Sequence, residues 1–239
     1  MSKRLKVVLL GLNNIGKKVQ DYLKLLDQDD IFLITEKHEL NIIKEILPEI
    51  ILSVGFRSIV PKEYLDIPKL GAFNFHKSLL PMHRGANPVF WTIMNQTKAG
   101  VTIHIMDENI DTGNIVKQIE VDYSFDDTAE SLYKKLEKAQ LELFKETWPN
   151  IRDGNIEAFP QKGKPSYHVK KDFMLLRRIH IKNNEIDVIG LINYIKAMTF
   201  PPFNNAYIEI NNKKYFIELN IKTKGCDVPD SLLKQYEEE

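Results

Sequence analysis

Short apolar runs, each closed by glycine or polar residues and separated by stretches of helical spacing, limit what the first part of this chain can become. Lys6 to Leu12 carries Val7, Val8, Leu9 and Leu10 without a polar break. After it, Val19, Leu23 and Leu26 recur at helical spacing. Ile31 to Thr35 is a second run, Ile42 to Ile46 belongs to a helix, Ile50 to Val54 is a third run closed by Gly55, and Gly71 to His76 is a fourth. A strand that is apolar throughout must be covered on both faces. Such strands alternating with helices build βαβ units. The expected fold is α/β, a Rossmann-like open and mostly parallel sheet.

Farther along, Val101 to Met106 and Ile115 to Val121 alternate apolar and polar residues around a loop-like stretch, Asp107 to Gly113. Thr128 to Trp148 is the clearest helix, with Ala129, Leu132, Leu136, Ala139, Leu143 and Trp148 on one face and Asp126 or Asp127 as its cap. Pro160 to Pro165 reads as a domain-edge linker. Beyond it, a helix is expected from Ile186 to Met198, ended by Pro201-Pro202. Tyr207 to Ile210 and Tyr215 to Leu219 flank Asn211-Asn212, a hairpin turn. The expected division is an N-terminal α/β domain, residues 1–180, and a small C-terminal α+β module, residues 181–239, open to contacting a ligand or to pairing subunits as a homodimer. Gln235 to Glu239 should fray.

Lys+Arg and Asp+Glu both number 33, so the formal charge is zero. Proteins that grip a long phosphate backbone carry a basic excess, which argues against nucleic acid as partner. The single cysteine, Cys226, rules out an intrachain disulfide and a thiolate metal cluster. The apolar stretch before Asn13 is too short for a membrane span, and no small-residue cleavage site follows it. A cytoplasmic protein without a membrane partner is expected.

Gly11 and Gly16 after the first strand invite a dinucleotide-binding reading. That fingerprint needs a further glycine where backbone and pyrophosphate meet, and Asn13 stands there. A generic turn of an open α/β fold explains the glycines better.

The stretch richest in chemistry is Phe73-Asn74-Phe75-His76-Lys77-Ser78-Leu79-Leu80-Pro81-Met82-His83-Arg84-Gly85. Strand alternation puts Asn74 and His76 on one face. They also stand at the carboxyl end of a strand, where open α/β sheets bind ligands. A carboxamide beside an imidazole can stabilise an oxyanion and handle a proton. Composition alone favours an ordinary strand-to-loop junction.

The order of motifs resembles one family. Asn74-x-His76 with Ser78-Leu79-Leu80-Pro81 and Arg84-Gly85, followed by Gly100 to His104 and by Met106 to Gly113, is similar to the signature of formyltransferases that use N10-formyltetrahydrofolate. Ser53-Val54-Gly55-Phe56 and Pro61-Lys62-Glu63 extend the likeness upstream, so it covers about residues 50–120. Lys77 departs from it, standing where many relatives carry proline. The resemblance implies that Asn74 and His76 polarise the formyl oxygen, while Asp111 supports His76 and helps take the proton from an attacking amine. It implies 10-formyltetrahydrofolate as cosubstrate, lying along Ser53, Gly55, Phe56, Arg57, Ile103, His104, Met106, Asp107 and Ile110. It implies neither a metal nor a covalent intermediate. His104 and His83 also read as satisfied structural histidines, and Asp107 and Glu108 as solvated loop acids.

Three groups within the family compete for the acceptor. Glycinamide ribonucleotide formyltransferases carry a Gly-Ser-Asn phosphate loop, which Gly11-Leu12-Asn13-Asn14 lacks. Methionyl-tRNA formyltransferases share Arg84-Gly85-Ala86 but carry a larger basic C-terminal domain. The nucleotide-sugar N-formyltransferases match best, through Ala86 to Trp91 and Ala197 to Tyr207. The implied acceptor is a dTDP-linked amino-dideoxy sugar, dTDP-4-amino-4,6-dideoxyglucose in particular, in O-antigen or other surface polysaccharide synthesis. Lys77, Ser78, Arg84, Asn87, Phe200, Phe203 and Tyr207 are the candidate substrate contacts. A methionyl-tRNA formyltransferase-like enzyme with another amine acceptor, and a non-catalytic folate- or nucleotide-binding module, remain as alternatives.

Overall fold

A computed structural model of the protein describes residues 3–179 and 187–222. Strand β1 (Lys6–Leu10) leads through a turn into helix α1 (Asn14–Leu26), and β2 (Asp30–Ile34) follows. A 3₁₀ turn over Lys37–Ile42 runs into α2 (Ile43–Ile46), where sequence spacing had suggested one helix from Ile42. Next come β3 (Ile50–Ser53), α3 (Lys62–Leu65), β4 (Ala72–His76), the two-residue β5 (Arg84–Gly85) and α4 (Pro88–Met94). Then follow β6 (Ala99–Ile105), β7 (Ile115–Val121), α5 (Ala129–Asp153), β8 (Tyr167–His168) and α6 (Lys170–Leu175). Helix α7 (Val188–Met198) and the strands β9 (Tyr207–Ile210) and β10 (Lys213–Phe216) complete the described chain.

Six strands form the central sheet in the order β2-β1-β3-β4-β6-β7. β2, β1, β3 and β4 run parallel, with the apolar runs of β1 and β3 enclosed on both faces. β6 pairs antiparallel with β4 and β7 antiparallel with β6, so the sheet is mixed but mostly parallel. On one face, Val7, Leu9, Leu52, Phe73 and Phe75 join the inner sides of α1 and α5 in the main core. On the other, Val8, Leu10, Ile51 and Ala72 pack with Leu40, Ile43 and Tyr64. Each Val, Leu, Ile or Phe among them stabilises the fold by about 1.5–3 kcal/mol on full burial.

Helix α5 begins one residue later than the acidic pair suggests. Thr128 is its cap, its hydroxyl accepting from Ser131 N–H. Asp127 instead accepts from Ser124 N–H, the Ser131 hydroxyl and the Lys135 ammonium, which ties the preceding turn to the helix. The helix runs beyond Trp148, through Pro149, and stops at Gly154 with φ 72°. At the C-terminal hairpin, Asn211 and Asn212 both take positive φ, 51° and 62°, which matches the right-handed twist of the flanking strands. Its second strand begins at Lys213, two residues before the apolar run that marked it in the sequence. Cys226, Ile186 and Gln235 to Glu239 lie outside the described residues. Among the described residues, no helix is long and apolar enough to cross a membrane.

The β1–α1 turn shows what replaced the missing glycine. Asn13 Oδ1 accepts from Gly16 N–H at 2.9 Å, capping α1. Its amide lies where a Cβ on Gly55 would sit, 2.0 Å from Asn13 Nδ2. The Asn13 side chain thus fills the space over the turn and ties it to the loop after β3.

Candidate active site

Asn74 and His76 face the same side of β4, and the antiparallel partner adds to that face. Asn74 stands opposite His104 on β6, and His76 stands opposite Thr102. Cross-strand pairing explains the 3.1 Å separation between Asn74 Nδ2 and His104 Nε2. His104 Nδ1 lies 2.8 Å from the carbonyl of Ile105, so it is the protonated nitrogen there and leaves Nε2 to accept from Asn74.

Asp111 reaches the same place from the loop between β6 and β7. Asp107 Oδ1 accepts from Asn109 N–H and the Thr112 hydroxyl, folding the loop on itself. Gly113 then passes so close to β6 that a Cβ there would lie 1.8 Å from the Ile105 carbonyl oxygen. Asp111 itself adopts φ 54°, in the left-handed region. Its Oδ1 accepts from Asn74 Nδ2 at 3.1 Å and lies 3.3 Å from His104 Nε2. Its Oδ2 accepts from Gly85 N–H at 2.8 Å and lies 3.4 Å from His76 Nδ1. Asn74, His76 and Asp111, which the sequence singled out, are therefore one cluster, and His104 belongs to it.

Protonation follows from these partners. Burial alone would raise the Asp111 carboxyl, but the His76 and His104 imidazoles in their protonated forms, together with Gly85 N–H, reverse this and hold it well below the usual carboxylate range. Burial lowers the His76 imidazole, with Asp111 and the His83 carbonyl pulling the other way. His76 Nε2 lies 2.8 Å from the His83 carbonyl, so that nitrogen must donate. In neutral His76, Nδ1 then presents a lone pair to an ionised carboxylate oxygen. A proton delivered between these two acceptors would be shared as a charge-assisted hydrogen bond. The pair can hold one proton between its two atoms.

The loop 77–85 supplies both backbone contacts, and it is held from outside. Arg84 N–H donates to the Ser166 carbonyl and Ala86 N–H to the His168 carbonyl, pairing β5 with β8. His83 is buried, with Nε2 2.8 Å from the Thr97 hydroxyl and Nδ1 3.3 Å from His168 Nε2. The His168 ring stacks on Trp91 at 3.9 Å. Gln161 donates to the carbonyls of Asp111 and Gly113. The sequence offered no cue to His168 or Gln161, which lie on or beside the segment read as a linker.

The remaining expected contacts fall into separate groups. Lys77 sits with its ammonium 4.5 Å from the Tyr133 ring, Phe200 meets the same ring edge-on at 5.3 Å, and Phe203 lies 6.0 Å beyond Phe200. Burial pushes the Lys77 ammonium down to about 8, against the nearby Glu137. Tyr207 packs instead against Phe216, and the Ser78 hydroxyl donates to the Met82 carbonyl inside the fold. Arg84 donates to Gln161 through Nε and Nη2, while Asn87 is exposed at the start of α4 with φ 55°. Of the expected folate contacts, Phe56 and Met106 border the same small core, Arg57 and Asp107 are exposed, and Gly55 and Ile110 lie in the two loops concerned. Ser53 and Ile103 are enclosed, leaving no side-chain surface for a ligand. Among the described residues, no group of three His, Cys, Asp or Glu side chains could hold a metal ion.

Residues 34–147 match the family model described as formyl transferase, and residues 172–223 match the N-formyltransferase dimerization C-terminal domain. The chain is 44% identical over 133 residues to a methionyl-tRNA formyltransferase of Thermodesulfovibrio yellowstonii, covering 54% of this chain and 43% of that one. It is 35% identical over 172 residues to a GDP-perosamine N-formyltransferase of Brucella melitensis, covering 71% of this chain and 64% of that one. The matches thus span less than two thirds of these curated relatives. A formyltransferase of Anoxybacillus kamchatkensis, solved with UDP-4,6-dideoxy-4-formamido-L-AltNAc and tetrahydrofolate, superposes with a TM-score of 0.62 at 35% identity over 70% of this chain and 87% of its own. The shared motifs, the shared fold and these matches agree: this chain belongs to the formyltransferase family.

Proposed function

We propose that the protein transfers a formyl group from 10-formyltetrahydrofolate to the amine of a nucleotide-linked amino sugar. The observation that carries the reading is the convergence of Asn74, His76, His104 and Asp111 around one carboxylate, with His76 Nδ1 3.4 Å from Asp111 Oδ2. A sugar amine attacking the formyl carbon forms a C–N bond and leaves an oxyanion and an ammonium in one intermediate. Asn74 N–H groups, now turned to Asp111 and His104, are the donors nearest to hand for that oxyanion. The His76 Nδ1 and Asp111 Oδ2 pair takes a proton from the ammonium. Cleavage of the bond to the folate nitrogen returns one proton to that nitrogen, giving tetrahydrofolate and a formamide. The Ser53–Arg57 and Met106–Ile110 segments border the second core beside this cluster, which suits a flat heterocycle held by loop backbone.

For the acceptor, the Lys77–Tyr133–Phe200–Phe203 run supports a nucleotide diphosphate. It offers a cation and aromatic faces in sequence. With a pKa of about 8, Lys77 stays mostly charged near neutrality. Arg84 is engaged by Gln161, which leaves Lys77 as the better diphosphate contact. The finer assignment, dTDP-4-amino-4,6-dideoxyglucose, follows the likeness at Ala86 to Trp91 and Ala197 to Tyr207. The proposed division, residues 1–180 and 181–239, gives the second unit a role in pairing two subunits. The methionyl-tRNA alternative is favoured by the 44% identity to such an enzyme and opposed by the zero net charge.

The test is to incubate the protein with 10-formyltetrahydrofolate and a panel of dTDP-, UDP- and GDP-linked amino sugars, and to follow the gain of one formyl group by mass spectrometry. Formylation of an amino sugar supports the reading. Silence across the panel with turnover on methionyl-tRNA would overturn the acceptor.

A further inference from the structure

Gln161 stands at a fixed place because Phe159 forms a β-bridge with Ile115 at the start of β7, its N–H and carbonyl pairing at 2.9 and 2.8 Å. Two residues on, the Gln161 amide meets four partners. Nε2 donates to the carbonyls of Asp111 at 2.9 Å and Gly113 at 2.8 Å. Oε1 accepts from Arg84 Nε at 3.1 Å and Nη2 at 2.7 Å. Carbonyls only accept and a guanidinium only donates, so the amide has one possible orientation and its hydrogen-bonding capacity is filled. The residue after Arg84 is Gly85, whose N–H holds the Asp111 carboxylate. One side chain therefore joins the Asp111 backbone to the strand that grips the Asp111 side chain. Asp111 has particular need of this, since its φ of 54° is one that residues other than glycine seldom keep unaided.

We infer that Gln161 is a positioning residue, fixing the backbone of Asp111 so that its carboxylate meets His76, and that Arg84 acts through Gln161 rather than on substrate. The inference rests on the proposed role of Asp111 in formyl transfer. Gln161→Glu separates the two halves of the contact: it keeps an acceptor for Arg84 but loses both N–H donors and turns a carboxylate toward two carbonyls. Gln161→Ala removes both halves at a partly exposed site that water can enter.

Steady-state kinetics on both variants, with hydrogen exchange of the Gly85 amide measured on the same samples, is the test. Both variants should lower kcat by about a hundredfold, the scale of a small misplacement of a catalytic group, while KM for folate and acceptor stays within a few-fold of wild type. Gly85 amide protection should fall in both. Wild-type kcat in either folded variant, or unchanged Gly85 protection in both, would overturn the inference. An inactive wild-type protein would sink the functional reading alone, because the exchange of Gly85 reports on the Asp111 contact without turnover.

Discussion

Asp111 Oδ2 lies 3.4 Å from His76 Nδ1 while His76 Nε2 is committed to the His83 carbonyl, so the imidazole can exchange a proton only on its Asp111 side. This relationship dictates what each nearby substitution should do.

Asn74→Ala, His76→Ala and Asp111→Ala should each lose turnover while folate and nucleotide binding persist. For Asn74→Ala, loss of the oxyanion donor should cost up to about 2.7–4 kcal/mol in the activation barrier, the scale of one such donor. Calorimetric binding beside single-turnover rates checks this. Near-normal rates in all three would reject the site.

Gly113→Ala should be destabilising and slow. The added Cβ would lie 1.8 Å from the Ile105 carbonyl oxygen, so the loop must lift away from β6 and carry Asp111 with it. A loss of at least about 1 kcal/mol in denaturant unfolding is expected, together with lower kcat.

Stability should decline in mild acid through His83. Burial, then His168 and His76, push its pKa down to about 4, below an unfolded value of about 6.5. Between those values the unfolded chain binds more protons, so stability falls as pH drops from about 6.5 to about 4, by on the order of 3 kcal/mol. His83→Gln should flatten that slope in denaturant titrations across the window. An unchanged slope would show that another group carries it.

Lys77→Met should weaken the nucleotide sugar by about 1.5–3 kcal/mol, as expected for loss of a charged hydrogen-bond donor to a diphosphate. Folate affinity should stay as it is. Equilibrium binding of each ligand alone distinguishes the two.

Much of this was legible in the sequence, for identifiable reasons. The continuous apolar runs of β1 and β3 pointed to strands covered on both faces, as in a parallel sheet. Period-two alternation placed Asn74 and His76 on one face. Tertiary contacts decided what local pattern could not. His104 joins the cluster because β6 pairs antiparallel with β4, and alternation along β6 alone does not name its neighbour. Arg84 read as a substrate contact in the sequence, where nothing pointed to Gln161, which the bridge at Phe159 brings beside it. The two-residue strands β5 and β8 are too short to leave a periodic signal.

The most direct measurement of the central claim compares wild type with Asp111→Asn in transfer of an isotopically labelled formyl group from 10-formyltetrahydrofolate to an amino-sugar nucleotide, with binding of both ligands measured on the same preparations. The substitution keeps shape and removes the charge opposite His76. The account predicts labelled formamido sugar from wild type, and a collapse of rate in the variant with both ligands still bound. Equal rates from the two proteins would contradict it.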